Sequence, residues 1–207
     1  MMTRSRNEKR RRTNGHSVPS SHERKLRLEA AALWPVFECL ISAWWQETTN
    51  LTHIIVAKEP PFGGVVCCVI LVDLGCLGPK EAFVTQFRTR GQHETEFRTS
   101  MMNRDPMIPI EYPLVAKIIS ESLRYARHLG FELPPRVSRT LGALGPLDAA
   151  AACQQKIPLG GKDGIPFYMA GPYDDVDHIM ATLTRTCGNG NFRFTIPESS
   201  IPRDFFD

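Results

Sequence analysis

The stretch LVDLGCLGPKEAF, residues 71–83, combines residue types that could do chemistry. Asp73 could act as an acid or a base, Cys76 could be a nucleophile, and Lys80 could hold an anion. The apolar run before Asp73 predicts a strand, and Pro79 predicts the first turn of a helix over 79–87. Because N–H groups at a helix start attract anions and lower the pKa of a nearby thiol, this strand-to-helix corner is a candidate ligand or catalytic site.

A structural interpretation of the same corner stays open. Gly75 and Gly78 would permit a tight turn, Asp73 would bond its own backbone, and Lys80 would be solvated. The spacing of a P-loop is absent, since Glu81 stands where a Ser or Thr is required. A free cysteine without a nearby histidine is more often a buried apolar side chain than a nucleophile.

A second polar stretch, GGKDGIPFYMAGPYDDVDH, covers residues 160–178. Asp174, Asp175, Asp177 and His178 could coordinate a divalent cation or serve as acid and base. The pattern favours a simpler role, in which Asp174 is the N-cap of a helix and the other two carboxylates complement its positive end. Metal ligands normally also come from distant segments, so we predict no metal and no cofactor.

The charge is distributed unevenly along the chain. Residues 1–28 hold nine Lys or Arg and two Glu, a net charge of +7, whereas the remainder holds 16 basic and 20 acidic residues, a net charge of −4. The cations near the start are Arg4, Arg6, Lys9, Arg10, Arg11 and Arg12. Such a segment would contact the phosphates of DNA or RNA without sequence preference, and the alternative is a merely solubilising N-terminus.

Composition limits the class of protein. The chain has 207 residues, 42% of them hydrophobic, which suits one domain with a substantial core. Its longest apolar run, residues 65–74, is too short for a membrane span, so we expect no membrane partner. The six cysteines form no C-x-x-C pair, which predicts free thiols in a reducing compartment and a cytoplasmic location.

The predicted fold is α/β (or α+β), with a small mixed or antiparallel sheet covered by helices over 20–47 and 113–130. We expect residues 20–207 to form the single domain and residues 1–19 to form a disordered basic arm. Strands are expected over 52–58 and 65–73, and the second is apolar at nearly every position, which predicts an interior strand. The first helix is predicted from the spacing of Leu33, Val36, Phe37, Leu40, Ile41 and Trp44.

The C-terminal half contains several shorter elements. We expect two short helices within 136–155, separated at Gly145-Pro146, and a hairpin that joins 157–159 to 165–169. Val176, Ile179, Met180 and Leu183 predict an amphipathic helix, and residues 192–195 predict a short strand.

Two motifs resemble those of a family of uncharacterised bacterial proteins of similar length. ILVDLGCLGPKEAF is similar to LVD-x-x-CLG-x-K-x-A, and GKDGIPFYMAGPYDD is similar to GKDG-x-PFY-x-x-GP-x-DD. VAKIISESLRYARHLGFELPP resembles the helix that links the two motifs in that family. The resemblance covers about residues 50 to 185 and departs at Pro79, where a Val or Ile is expected. It implies a shared architecture and no particular reaction, so it assigns no catalytic residue.

Two classes of function follow from these patterns. The leading hypothesis is a non-enzymatic accessory protein that binds nucleic acid or a ribonucleoprotein through its basic arm, while its acidic body contacts a protein partner. The alternative is a small enzyme or ligand-binding protein with a pocket at the Asp73-Cys76-Lys80 corner, which requires the two polar stretches to meet. A third possibility is a folding or assembly subunit recognised through exposed apolar surface.

Overall fold

A computed structural model describes residues 30–196 and contains a five-stranded antiparallel sheet with helices packed on it. The strands are β1 (Val36–Ser42), β2 (Leu51–Lys58), β3 (Val65–Asp73), β4 (Gly78–Phe87) and β5 (Met107–Pro109). Their order is β4-β3-β2-β1-β5, so the first four form a meander and β5 returns to pair with β1. This confirms the predicted fold class.

The two strands predicted from the sequence are confirmed as β2 and β3. They pair from Leu51 opposite Asp73 to Lys58 opposite Val66, and every residue of β3 except Leu71 is buried. An antiparallel strand that is apolar at consecutive positions requires cover on both faces, and both faces of β3 are covered. The polar end of β3 is therefore held at a defined edge of the core.

The helix predicted over 20–47 is wrong after Ala31, because the chain turns at residues 32–34 and β1 occupies Val36–Ser42. The β1 residues Cys39, Leu40 and Ile41 are all buried, since β1 lies inside the sheet and packs on both sides. A short run that is apolar at successive positions has no two-residue alternation, so its periodicity cannot separate a covered strand from a helix. The part of the prediction before residue 30 lies outside the described residues.

The helix predicted over 79–87 is also wrong, because β4 extends from Gly78 to Phe87. Pro79 is accommodated because β4 is an edge strand, where a missing N–H leaves no ladder hydrogen bond unmade. A shift of register between Leu71 and Val72 lies opposite this end of β4. The corner is thus a hairpin turn, and no helix N-terminus is present there to bind an anion.

One face of the sheet is covered by α3 (Tyr112–His128) and α4 (Pro135–Leu144). The helix predicted over 113–130 is confirmed as α3, and Val115, Ile118, Ile119 and Ser122 on its inner face are all fully buried. Gly130 follows the helix with a φ of +91°, the left-handed conformation that favours glycine after a helix end. The second predicted short helix is a 3₁₀ helix over Leu147–Ala152.

The opposite face is covered by residues 90–104, which lie between β4 and β5. They form α1 (Arg90–Gln92), a π-helix (His93–Arg98) and α2 (Thr99–Arg104) in succession. Phe97, Met101 and Met102 from this run pack on Leu40, Ile55 and Val69 of the sheet. This second apolar cluster explains why β1 to β3 are buried on both sides.

A smaller unit packs beside the turn that joins β3 to β4. Strand β6 (Phe167–Met169) pairs in parallel with β7 (Arg193–Thr195), and α5 (Val176–Cys187) connects them. The helix and the last strand are confirmed, whereas the hairpin of 157–159 with 165–169 is wrong. Residues 157–159 form no strand, and Gly160 N–H donates instead to Leu74 O in the β3–β4 turn at 2.9 Å.

None of the helices within residues 30–196 has the length and apolar character that a membrane span requires. The predicted boundary between residues 19 and 20 lies outside the described residues and stays a prediction, as does the disordered arm.

Candidate functional site

The β3–β4 turn is organised by the carboxylate of Asp73. Its Oδ1 accepts the N–H of Cys76 at 2.9 Å and also interacts with the N–H groups of Leu77 and Gly75. A side chain on Gly75 would stand 2.5 Å from Phe167 O and 2.8 Å from Thr48 O, so only glycine fits there. The structural interpretation of the corner is therefore confirmed for Asp73, which caps the turn.

Asp73 is also an unusual carboxyl group. It is 3% exposed, and within residues 30–196 its Oδ2 has no hydrogen-bond partner. Burial raises the pKa of Asp73 to about 6, although the turn N–H groups and the nearby Lys80 favour the ionised form. Asp73 thus lies beneath the corner as a buried group that titrates near neutrality.

Cys76 is fully buried in a cluster with Leu129, Tyr168 and Leu183. Burial, assisted by Asp73, raises its pKa above the ordinary value. The predicted depression of this pKa by a helix N-terminus is wrong, because β4 follows the turn. A buried thiol that resists ionisation is a poor nucleophile, so its position indicates a packing role.

The two polar stretches meet in space. Lys80 Nζ lies 2.6 Å from Asp174 Oδ2, and the two side chains are 11% and 10% exposed. The same oxygen accepts Gly171 N–H at 2.8 Å and Tyr168 Oη–H at 3.2 Å. Phe167 N–H donates to Gly75 O at 2.9 Å, which joins the second stretch to the β3–β4 turn. The alternative hypothesis required this adjacency.

The predicted N-cap role of Asp174 is wrong. Asp175 caps α5, and its Oδ1 accepts the N–H of His178 at 3.1 Å. Because the N-cap is Asp175, one residue later than predicted, the side chain of Asp174 can bind Lys80. Gly171 lies against this pair, and a side chain there would stand 3.0 Å from Lys80 Nζ and 3.3 Å from Asp174 Oδ2.

A cleft of about 230 Å³ opens beside the Lys80–Asp174 pair. Residues of β4, the segment between α3 and α4, and the start of α5 enclose it. The lining side chains are Leu77, Pro79, Lys80, Glu81, Phe131, Glu132, Pro134, Arg136, Tyr173, Asp174, Asp175 and Ile179. Asp73 and Cys76 do not line the cleft, so the structure brings Lys80 and Asp174 together and leaves the other two candidates in the core behind them.

The remaining candidates of the second stretch are dispersed. Asp163 pairs with Arg193 at 3.0 Å on the surface, and Asp177 and His178 lie exposed in the first turn of α5. Within residues 30–196 no cluster of three or more His, Cys, Asp or Glu side chains could hold a metal ion. The cations from Arg4 to Arg12 lie outside the described residues, and their role stays a prediction.

Sequence reasoning missed a Ser42, His53 and Asp105 cluster on the sheet. Ser42 Oγ donates to Asp105 Oδ2 at 2.6 Å and accepts His53 N–H at 2.9 Å, and His53 Nδ1 lies 2.8 Å from the same Asp105 oxygen. The Ser42 hydroxyl is fully buried and bonds to the carboxylate instead of the imidazole, so it lacks the arrangement of a nucleophilic triad. This cluster ties the end of α2 to β1 and β2.

The cleft residues Glu132, Arg136 and Tyr173 were also missed, because nothing in their local sequence distinguishes them from ordinary surface residues. Comparison of the chain with protein-family models, with curated proteins and with solved structures gave no match.

Proposed function

We propose that the protein binds a small polar ligand in the cleft beside Lys80 and Asp174. The observation that carries this proposal is the Lys80–Asp174 ion pair, which joins residues 94 positions apart at the wall of the cleft. Ligand sites are commonly concave surfaces in which a few oriented polar groups converge among apolar ones. Lys80, Asp174, Phe131 and Tyr173 supply that combination here.

The cost of the ion pair supports a role in binding. Removing two charges from water is expensive, and apolar replacements of a buried pair are often equally stable. Asp174 is nevertheless oriented by three donors, including Gly171 N–H and Tyr168 Oη–H. Such a preorganised polar arrangement fits a surface that recognises a ligand, because the side chains need not be ordered on binding.

The test is a chemical-shift map of the ¹⁵N-labelled full chain against a fragment set of cationic, anionic and neutral compounds. We expect perturbed amides to cluster at Gly171, Tyr173 and Phe131, and to stop responding in the double variant Lys80→Met/Asp174→Leu. Lys156→Met, an exposed site away from the cleft, is the matched control and should keep the response. The absence of any fragment that perturbs the cleft amides would overturn the proposal.

A second candidate function is favoured by the net charge of +7 in residues 1–28. In this proposal the basic segment binds DNA or RNA, and the acidic remainder contacts a protein partner, as in an accessory subunit. Phosphate contacts release counterions, so affinity should fall steeply with salt.

The measurement compares the full chain with a chain that starts at Ser20, on short duplexes and single strands. The full chain should show a log–log salt slope that corresponds to about four or five phosphate contacts, and the shortened chain should lose most of it. Equal slopes for the two proteins would remove the basic segment from the function.

A further inference from the structure

The charges of the cleft are not balanced. Lys80 is neutralised by Asp174 at 2.6 Å, and Arg136 lies 3.6 Å from Glu81. Both lysine and arginine are thereby matched, while Glu132 and Asp175 have no cationic partner within residues 30–196. The lining therefore carries two basic and four acidic side chains, which gives the cleft a local excess of negative charge.

The deeper carboxylate also has unused hydrogen-bonding capacity. Asp174 accepts its three hydrogen bonds through Oδ2, and within the described residues Oδ1 accepts none. The side chain is 10% exposed and lines the cleft. A ligand that reaches it must bring an N–H or O–H donor.

Aromatic side chains form the other part of the cleft. Tyr173 is 88% exposed at the rim, and Phe131 is half-buried. The face of an aromatic ring attracts a cation within about 6 Å of its centroid, and an exposed ring leaves its face open to a ligand. The volume of about 230 Å³ is below the range of about 300–1,000 Å³ typical of drug-sized compounds, so the ligand is small.

We infer that the cleft binds a small organic cation that carries a primary amine or a guanidinium on a short apolar chain. The inference rests on the proposed binding function and specifies its ligand class. The cationic head donates to Asp174 Oδ1 and is attracted by Glu132 and Asp175, while the apolar chain lies against Phe131 and Tyr173. An anion would meet the excess of carboxylates and is disfavoured for the same reason.

The experiment uses three probes of similar length on the full chain at low ionic strength. Agmatine supplies a guanidinium and an amine, succinate is a dianion, and 1,5-pentanediol is neutral. We expect only agmatine to shift the amides of Gly171, Tyr173 and Phe131. Salt should weaken this shift, since exposed charges are screened.

Variants on the rim test the contacts without disturbing the ion pair. Glu132→Gln, Asp175→Asn and Tyr173→Ala should each weaken agmatine binding about two- to fivefold, because exposed charge and cation–π contacts are modest. Asn keeps the ability to cap α5. The triple variant should lose about tenfold or more, whereas Glu96→Gln, an exposed change in the π-helix, should match the unmodified protein.

The outcomes separate the two proposals. Succinate or pentanediol shifting the cleft amides more than agmatine would overturn the cation and leave the binding site standing. If the triple variant and Glu96→Gln change agmatine binding equally, the binding is nonspecific electrostatic attraction, and the proposal of an organic cation is also overturned. If neither the probes nor the fragment set perturbs the cleft, both proposals fail together.

Discussion

Lys58 and Lys80 both lie largely out of solvent, and their surroundings differ in a way that separates structure from function. Lys58 is 1% exposed, and its Nζ lies within hydrogen-bond distance, 2.8 to 3.2 Å, of four backbone carbonyl oxygens, those of Ala31, Ala32, Ala143 and Leu144. Lys80 is 11% exposed, pairs with Asp174 and lines a cleft. Backbone oxygens surround the first lysine, whereas a carboxylate and open space surround the second.

Two of the four carbonyl groups around Lys58 lie at the end of a helix. Ala143 and Leu144 end α4, and the last carbonyls of a helix have no partner within it. Burial lowers the pKa of Lys58 from its ordinary value, but the negative ends of aligned peptide dipoles stabilise a cation there. Lys58 therefore joins α4 and the segment before β1 to the sheet, while Lys80 orients a group at a surface.

The largest expected effect is that of Lys58→Met. Several buried carbonyl oxygens lose their donor at once, so the free energy of unfolding should fall by about 4 kcal/mol. Urea unfolding measures the change, with Lys156→Met as the exposed control within about 0.5 kcal/mol of the unmodified protein. A loss below about 1 kcal/mol for Lys58→Met would show that Lys58 does not hold these elements together.

The Lys80 pair should behave differently from Lys58. Lys80→Met alone leaves the buried carboxylate of Asp174 without its cation and should cost about 3 kcal/mol in unfolding free energy. Lys80→Met/Asp174→Leu removes both charges and should lie within about 1 kcal/mol of the unmodified protein, again by urea unfolding. If the double variant is as unstable as the single one, the pair is structural and the contrast with Lys58 disappears.

Asp73 sharpens the comparison because it is a buried carboxyl group that forms no ion pair within residues 30–196, since Lys80 pairs with Asp174. Its folded pKa of about 6 lies above the ordinary value of 3.8, so the folded state binds the extra proton. Asp73 therefore makes its full contribution to the unfolding free energy below about pH 4, and this contribution is lost as the pH rises through 6. Asp73→Asn keeps the Oδ1 acceptor of the turn and should raise the unfolding free energy by about 2 kcal/mol at pH 7.

The comparison with the unmodified protein should be made across pH. The advantage of Asp73→Asn should vanish by about pH 4, where the folded protein already carries a neutral Asp73. A difference in unfolding free energy that does not change between pH 4 and pH 7 would show that Asp73 is ionised throughout.

His93 gives the smallest expected effect. It is 1% exposed in the π-helix, and both ring nitrogens lack a hydrogen-bond partner among the described residues. Phe37, Phe87 and Phe97 surround it with centroid distances of 5.5 to 5.9 Å. Burial lowers its pKa, so its contribution is complete above the ordinary value of 6.5 and is lost as the pH falls below it. His93→Phe should flatten this part of the profile of unfolding free energy against pH between 7 and 5.

The charged groups near His93 are common to both proteins, namely Glu38, Glu94, Arg98 and, over Phe37, Arg90. Their titration should cancel in the difference between the two profiles. If the unfolding free energy of His93→Phe and of the unmodified protein depends on pH with the same slope, the pKa of His93 does not differ between the folded and unfolded states.

The fold was predictable where one interpretation of a pattern dominated. The apolar run of β3 is rich in the β-branched residues Val and Ile, which favours a strand, and the spacing of Val115, Ile118 and Ile119 favours a helix. β1 and β4 were not predictable, because a strand covered on both faces has no alternation and an edge strand tolerates Pro79. In each case the tertiary position overrides the local preference.

The site was predictable in its parts and not in its assembly. The sequence around Lys80 and around Asp174 identifies each as a candidate. The two residues are 94 positions apart in the chain, and that separation does not indicate whether they are in contact. Tyr173, Glu132 and Arg136 had no signal, since their role follows only from facing the same cleft.

The sequence by itself determined the α/β class, the two strands of the sheet interior, the amphipathic helices and the basic character of residues 1–28. Only the tertiary structure decided that Lys58 binds carbonyls while Lys80 binds a carboxylate, that Cys76 is buried, and that Asp175 caps α5 in place of Asp174. The physical reason is that composition and periodicity depend on neighbours along the chain. Burial, pairing and the pKa of a side chain depend on which distant residues the fold packs against it.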